Sequence, residues 1–327
     1  MHIRPFVEAD YPSVTRLFNA AYCDFAKDVE EMRFRDSHYP SDCHWARWTA
    51  VTDEGAVVGC AEYNQTPYAL HPGKFNLDLA VAEHCYGHGI GRALYDTVLG
   101  ALGEFELVHV ASWARQDMPC RVGFLQRRGF VADVDLRTST IDLKGFDWMR
   151  WQDRLDNLGR QAIGVRSFAE LGVNNPDVQR QVYDLWSEVR HDVPLPPGEM
   201  RTPVPFDEWW PHLAGNTSFL PEAYFFAVDG QQLVGTSQLF ASPVDGELRT
   251  GLTAVRRSHR RRGIAIGLKV HALRYAQRLG THRVITDNAA ENKGMLAINT
   301  ELGFVQNPPW NRYVKRFRQE PDGSVNG

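Results

Sequence analysis

Two stretches of the chain repeat one order of features at matched spacing, and this duplication constrains the fold more than any other property. Val81 and Val255 each end an apolar, strand-like run, and each stands eight residues before a glycine, Gly89 or Gly263, that opens an amphipathic helical pattern. The runs FNLDLAV and LRTGLTAV therefore align without gaps through Tyr86-Gly87-His88-Gly89-Ile90-Gly91 and Arg260-Arg261-Arg262-Gly263-Ile264-Ala265. Upstream, each half has a hairpin signal: WTAVTDEGAVVGCAEY turns at Asp53-Glu54-Gly55, and YFFAVDGQQLVGTSQLF turns at Asp229-Gly230. Each half opens on a short apolar segment, Ile3-Arg4-Pro5-Phe6 or Val165-Arg166-Ser167-Phe168. A helical pattern follows, marked by Val14, Leu17, Phe18 and Tyr22 in one half and by Val178, Val182, Leu185, Trp186 and Val189 in the other.

A chain of 327 residues is long for one core, and the repeat sets the expected division: 1–145, a helical connector 146–162, 163–318 and a frayed tail 319–327. In the connector Trp148, Trp151, Leu155 and Leu158 share one helical face, which suits packing better than a flexible linker. A net charge of −4 argues against a phosphate-backbone binder. The basic run Arg256–Arg262 has no interleaved aromatics, so no nucleic-acid partner is expected. No apolar run reaches membrane-spanning length, and the start MHIRPFVEADY lacks a signal-peptide core. Five cysteines, all in the first half and without metal-ligand spacing, point to a reducing, cytoplasmic setting and no metal site. Nothing in the sequence fixes an oligomeric state.

The second loop carries the most chemistry. A strand, a glycine-containing turn and a helix start place unpaired N–H groups where they can hold a diphosphate. Gly263 lets the backbone approach without a Cβ, and the arginines supply positive charge. A plainer reading is a tight strand-to-helix turn beside a solvated basic run. The matched loop in the other half favours the first reading.

The segment resembles the Arg/Gln-X-X-Gly-X-Gly/Ala loop of GNAT acetyltransferases. A second match lies in ENKGMLAINTELGF, which is similar to the family's Asn-X-X-Ala/Met-X-X-X-Tyr-X-X-X-Gly-Phe region at Asn292, Met295, Gly303 and Phe304. The resemblance implies an α/β fold of two tandem GNAT domains, each a mixed, largely antiparallel central sheet flanked by helices. It also implies acetyl-CoA as co-substrate and a small-molecule primary amine as acceptor. The two-domain arrangement resembles that of mycothiol synthases, which use the C-terminal domain.

By the same resemblance, Thr253, Ala254, Val255, Arg260, Arg261, Arg262, Gly263, Ile264, Ala265 and Asn292 contact the cofactor. In the first half Val81, His88, Gly89, Ile90 and Gly91 hold the matching places. The backbone N–H of Val255 is the candidate donor to the thioester carbonyl. For Asn288 and Asn292, helix capping is the alternative.

The sequence departs from the family pattern in three places. Asn299 stands where the family has the Tyr that protonates the departing thiolate, with Tyr224 and Tyr275 as substitutes elsewhere. Arg249 stands at the common Glu position, which leaves Glu247 as candidate base, with Asp287 and Glu291 at the next strand end. In the first half, aligning Gly129-Phe130 with Gly303-Phe304 puts Met118 at the Asn292 position and Leu125 at the Asn299 position, and Tyr86 replaces the loop's Arg/Gln. Residues 186–222, with Glu188, Asp192, Glu199, Asp207, Glu208, Trp209, Trp210 and Phe219, are the expected acceptor region. The chemistry is therefore expected mainly in the second domain. The alternative is a non-catalytic CoA-binding or structural module.

Overall fold

The computed structural model describes residues 1–318; the expected frayed tail 319–327 lies outside the described residues. The strands are β1 (His2–Pro5), β2 (Trp45–Val51), β3 (Val57–Asn64), β4 (Lys74–Val81), β5 (His109–Arg115), β6 (Val131–Asp142), β7 (Ile163–Ser167), β8 (Phe219–Asp229), β9 (Gln232–Ala241), β10 (Glu247–Val255), β11 (Arg283–Ala289), β12 (Val305–Gln306) and β13 (Trp310–Arg316). The helices are α1 (Tyr11–Ala21), α2 (Val29–Ser37), α3 (Ile90–Ala101), α4 (Pro119–Gln126), α5 (Gln152–Arg160), α6 (Phe168–Leu171), α7 (Pro176–Val189), α8 (Phe206–Ala214), α9 (Ile264–Arg278) and α10 (Lys293–Leu302).

The chain forms two compact units. Unit 1 comprises Met1–Asp135, Pro196–Pro203 and the described residues from Pro308 onward; unit 2 comprises Leu136–Leu195 and Val204–Asn307. In unit 1 the strand order is β1-β2-β3-β4-β5-β13, antiparallel except for the β4/β5 pair. In unit 2 it is β6-β11-β10-β9-β8-β7, antiparallel except for β10/β11, with β12 beside β6. Mixed, largely antiparallel sheets with helices on their faces are thus present in both units, as the α/β fold class requires.

The expected domain limits need correction at the last strand of each repeat. By sequence β6 closes the first repeat, yet Leu136–Asp142 pair with β11 in unit 2. Likewise β13 follows the second repeat's Gly303-Phe304, yet it pairs along its length with β5 in unit 1. Both strands leave a similar Gly-Phe turn, so local pattern does not tell which edge each one joins. Side chains do. Trp310 is fully buried in unit 1, stacks on Tyr22 at a centroid separation of 5.9 Å, and donates its Nε1 hydrogen to Asp24 Oδ2 at 2.9 Å. The Gln116 amide also donates to Asn311 Oδ1 at 2.8 Å.

Each sheet is covered on both faces. In unit 1, α3 packs Ile90, Leu94 and Val98 against Phe75, Leu77 and Val110, while α1 and α2 bring Tyr11, Val14 and Met32 to Cys60 on the other side. In unit 2, α9 lays Ile264, Leu268 and Leu273 against Val234, Leu239 and Val284. The opposite face gathers Phe168, Val182, Leu185, Trp209, Tyr224 and Phe226. The connector helix α5 belongs to the α9 face. A Cβ added at Gly267 would sit 2.5 Å from Leu158 Cδ1, so glycine is what permits this close approach.

Unit 1 also buries an ion network. Arg47 donates to Glu62 at 2.6 Å and to Asp36 at 2.8 Å, with all three side chains at most 4% exposed. Arg35 joins both carboxylates, at 2.9 Å to Asp36 and 3.2 Å to Glu62. Burial pushes the Glu62 carboxyl up, but Arg35 and Arg47 outweigh it and hold it below its usual 4.5.

Two outcomes follow. Chains of residues 1–145 or 163–318 expressed alone each lack a strand of their own unit, and are expected to fail the test of a cooperative thermal transition that the full chain passes. Replacement Glu62→Gln leaves Arg47 undercompensated and is expected to cost about 3–5 kcal/mol in urea unfolding. Because the Glu62 carboxyl is depressed in the folded state, its contribution is complete above about pH 4.5 and is lost as pH falls toward the folded value. The variant should therefore show a smaller acid destabilisation below that pH than the parent.

Candidate functional site

The geometry of unit 2 turns on where β10 and β11 stop pairing. They run parallel through Glu247↔Arg283, Leu248↔Val284 and Arg249↔Ile285, and then separate. Thr250 Oγ1 donates to Thr286 Oγ1 at 2.6 Å at the point of divergence. Beyond it, β10 bulges against β9 between Thr250 and Thr253, with the Leu252 N–H taken by Gln238 Oε1 at 3.0 Å. Arg256 N–H donates to Val234 O across to β9 at 2.9 Å. Alternation along an antiparallel ladder then turns the N–H groups of Val255 and Thr253 to the other edge, toward the opening. Two backbone donors thus face the gap between splayed strands.

At the end of β10 the chain turns into α9 through Arg260-Arg261-Arg262-Gly263. Gly263 has φ of 79° and no side chain caps the helix start, so the first N–H groups of α9 point outward. An added Cβ there would meet only Asn157 Nδ2, at 3.7 Å, which leaves room for an anion. Arg261 also has positive φ, at 60°, matching Gly87 at 82° in the other repeat.

The expected arginines are distributed unevenly. Arg260 pairs with Asp192 and donates its Nε hydrogen to Val255 O at 3.1 Å. Arg262 donates to Gln161 Oε1 at 2.8 Å and lies 3.8 Å from Asp229. Arg261 is exposed, with no ion pair among the described residues. Gln161, just past α5, also donates to Arg262 O at 3.1 Å, so the expected connector braces the loop from behind. Nothing in the repeat pattern signalled this role.

Other expected residues fall elsewhere. Glu247 sits at the far end of the nine-residue strand from Val255, roughly 25 Å away at about 3.3 Å per residue. Its oxygens accept from Ser242 and from Arg283, each at 2.7 Å, so it is salt-bridged into the strand start instead of facing the opening. Asp287 is better placed. Val284 packs with the α9 core and Asn288 accepts from Asn299 on α10, so alternation turns Ile285 and Asp287 to the opposite face, at the mouth of the gap. Asp287 is solvent-accessible, yet desolvation by surrounding protein raises its carboxyl above the usual range, against the pull of the Lys269 ammonium. Lys269 itself is buried and is lowered by that burial to about 8, with its Nζ 5.2 Å from the Phe304 ring centroid.

Asn292 accepts from Met295 N–H at 3.2 Å and so caps α10, as the alternative reading had it. Asn299 is buried at 2% exposure; its Nδ2 donates to Asn288 at 2.7 Å while its Oδ1 has no partner. Tyr275 packs edge-on to Phe225 at 5.7 Å, and Tyr224 lies within the aromatic face of unit 2. The expected acceptor acids are largely committed: Glu188 pairs with Arg256, Asp192 with Arg257 and Arg260, and Glu199 lies in unit 1 against His109 and Arg312. Trp209 and Trp210 stack among Trp186, Tyr183 and Phe168.

The family follows from these same segments. A model of the acetyltransferase (GNAT) family matches residues 11–130 and again 181–304, well over half of the sequence. The chain belongs to the GNAT acetyltransferase family. Both family regions end at the Gly-Phe turns, just before β6 and β12, so the two exchanged strands lie outside them. Solved GNAT structures share the full two-unit fold. A tandem GNAT protein from the clavulanic acid biosynthesis pathway superposes with a TM-score of 0.74 at 17% identity, covering 98% of this chain and 99% of that one. A GCN5-related N-acetyltransferase from Sphaerobacter thermophilus gives 0.68 at 19% identity over 98% and 97%. A glucosamine N-acetyltransferase region of a fungal multi-domain β-N-acetylglucosaminidase gives 0.67 at 13%, over 96% of this chain and 38% of that one. A comparison with curated proteins yields no match.

The brace on the GNAT loop is testable without substrate. Gln161→Ala removes two hydrogen bonds to Arg262 and should cost about 1–3 kcal/mol in urea unfolding, while Gln152→Ala, whose amide meets only exposed Asp156, should cost less than about 0.5 kcal/mol.

Proposed function

We propose that this GNAT protein transfers an acyl group, acetyl in the first instance, from acyl-CoA to a primary amine of a small molecule in the cytoplasm, with the chemistry in unit 2. The observation that carries the reading is the gap between β10 and β11, which begins at Thr250 and Thr286 and leads to the uncapped start of α9. The chemistry needs an anion cradle, an extended edge for the pantetheine arm and a base, and the start of α9, the end of β10 and Asp287 on β11 are the candidates for these three roles.

The N–H groups at Gly263, Ile264 and Ala265 hold the diphosphate, aided by Arg261 and by Arg260 once Asp192 yields. The Val255 amide pairs with the pantetheine arm, and Asn292, its Oδ1 spent on the cap, offers its Nδ2 hydrogens to a pantetheine carbonyl. Extending the parallel register sets Asp287 level with Gly251, closer to Thr253 than to Val255. We therefore assign the thioester carbonyl to the Thr253 N–H, with Val255 next along the arm. The donor aims at the oxygen on which charge builds as the amine attacks.

Asp287, not Glu247, serves as base. A raised carboxyl near the opening takes the ammonium proton, directly or through one water, and releases a neutral amine for attack. The departing thiolate has no phenol at position 299, so water in the gap protonates it. That same absence favours a second reading, a module that binds acyl-CoA without turnover.

Steady-state assay of thiol release over a panel of small primary amines separates these readings. Asp287→Asn is expected to lower kcat/KM by about 100- to 10,000-fold, and Glu247→Gln by less than tenfold. In the parent, kcat/KM should fall tenfold per pH unit below the raised pKa of Asp287, because only the ionised carboxylate accepts the proton. Binding of acetyl-CoA with no turnover on any amine would establish the second reading.

A further inference from the structure

We infer that the chain takes up one acyl-CoA, in unit 2, because unit 1 fills its own matching place with the side chain of Arg121. The inference rests on the acyl-CoA reading given above. Unit 1 repeats the backbone of the site closely. Its β4 and β5 pair in parallel only through Lys74↔His109, Phe75↔Val110 and Asn76↔Ala111, and then separate. Gly87 and Gly89 have φ of 82° and 81°, and the start of α3 carries no side-chain cap. Ala82 N–H donates to Val58 O at 2.8 Å, as Arg256 does to Val234, so Leu79 and Val81 turn their polar groups to the gap.

That gap is already bridged. Arg121, on α4, donates from Nη1 to Leu79 O at 3.0 Å on β4 and from Nε to Trp113 O at 2.8 Å on β5. Its Nη2 reaches the Tyr22 hydroxyl, and its guanidinium carbon lies 4.1 Å from the centroid of the Tyr22 ring. Tyr22 in turn donates to Asp78 Oδ1 at 2.6 Å. The carbonyl of Leu79 is the edge group that a pantetheine amide would need, and a planar, charged donor has taken it. Nearer the loop, the Phe124 ring closes over the helix start: a Cβ added at Gly91 would meet Phe124 Cε2 at 3.4 Å and Val81 Cγ2 at 3.6 Å. Arg128 stacks on that ring at 3.5 Å and holds it in place.

In unit 2 Arg260 reaches one carbonyl of the matching edge, Val255 O, but among the described residues no side chain bridges from Thr253 O, the counterpart of Leu79 O, to β11. Aligned on the two Gly-Phe turns, Arg121 corresponds to Met295 and Phe124 to Ile298. A thioether has no N–H with which to bridge two carbonyls, and Ile298 carries no ring to lay across Ala265. The glycines of the first loop are thus retained for the turn they make, while the space they would open is occupied by the protein itself.

Isothermal titration of the full chain with acetyl-CoA tests this. One equivalent is expected, kept in Gly89→Glu and lost in Gly263→Glu. Two equivalents, or a single equivalent lost in Gly89→Glu and kept in Gly263→Glu, would overturn the inference and leave the acyl-CoA reading standing. No uptake by the parent chain would overturn both. In the Gly263→Glu background, Arg121→Ala with Phe124→Ala is expected to gain an equivalent at least tenfold weaker than the parent site. If that chain keeps the parent's far-ultraviolet circular dichroism and binds none, Arg121 and Phe124 are not what closes unit 1.

Discussion

Parallel strands that part company partway along leave two edges of backbone N–H and C=O facing each other across a gap. Such groups are costly to bury without partners, at about 1–3 kcal/mol each, so the gap must be answered by water, by a ligand or by the protein. Both units contain it, since β4 and β5 separate after Asn76↔Ala111 and β10 and β11 after Arg249↔Ile285. The units differ in how they answer. One supplies a guanidinium with its own fork of donors. The other supplies two hydroxyls at the apex, Thr250 and Thr286, and one arginine on Val255 O, with no side chain bridging the two strands beyond the apex among the described residues.

The glycine loop is secondary to the gap in this sense, because both units have a glycine turn and an uncapped helix. What sets the second loop apart is its support. Gln161 fixes Arg262 from behind, Leu158 presses on Gly267, and Asp192 holds Arg257 and Arg260 from the front. The carboxyl of Asp192 is held below the usual range, first by its hydrogen bond from Arg257, so it stays an anion at neutral pH. On the acyl-CoA reading proposed above, a diphosphate would exchange one anion for another at Arg260 and would not have to order a free arginine. Arg261, held in the left-handed region where its counterpart is glycine, is the strained residue of the turn and also the one whose charge points to solvent.

Much of this was legible from residue order. The gapless alignment of Val81 with Val255 and of the two loops gives the repeat, the strand-loop-helix units and the left-handed glycines. The connector stripe Trp148, Trp151, Leu155, Leu158 gives a packed helix. Three things were not legible, each for a physical reason. Strand exchange is decided by which edge buries Trp310 and satisfies Asn311, a long-range choice with no local trace. The base was sought at Glu247 because Arg249 occupies the family's Glu position, whereas Arg283, from a strand 36 residues away in sequence, ties Glu247 down. The sequence carries no local signal for the role of Arg121. Only the register of two distant strands shows that its donors land on two carbonyls.

The strand exchange also ties the first repeat, whose gap Arg121 bridges, to the stability of the second. The sheet of unit 2 ends on Leu136–Asp142, where Ile141 joins the α9 core and seven residues of β6 pair with β11. The helix that braces the loop before α9 follows directly on that strand through Leu143 and Phe146, both buried in the same core. Removing the first repeat would strip unit 2 of its edge strand and expose β11, the strand that carries Asp287. Conversely, β13 can reach its place beside β5 only if the second repeat has been traversed. With the single site proposed for unit 2, selection on that site would maintain both folds, while the residues lining the other gap would be free to change so long as its carbonyls stay satisfied. Arg121 meets that condition with two donors from one side chain, and an apolar replacement would not.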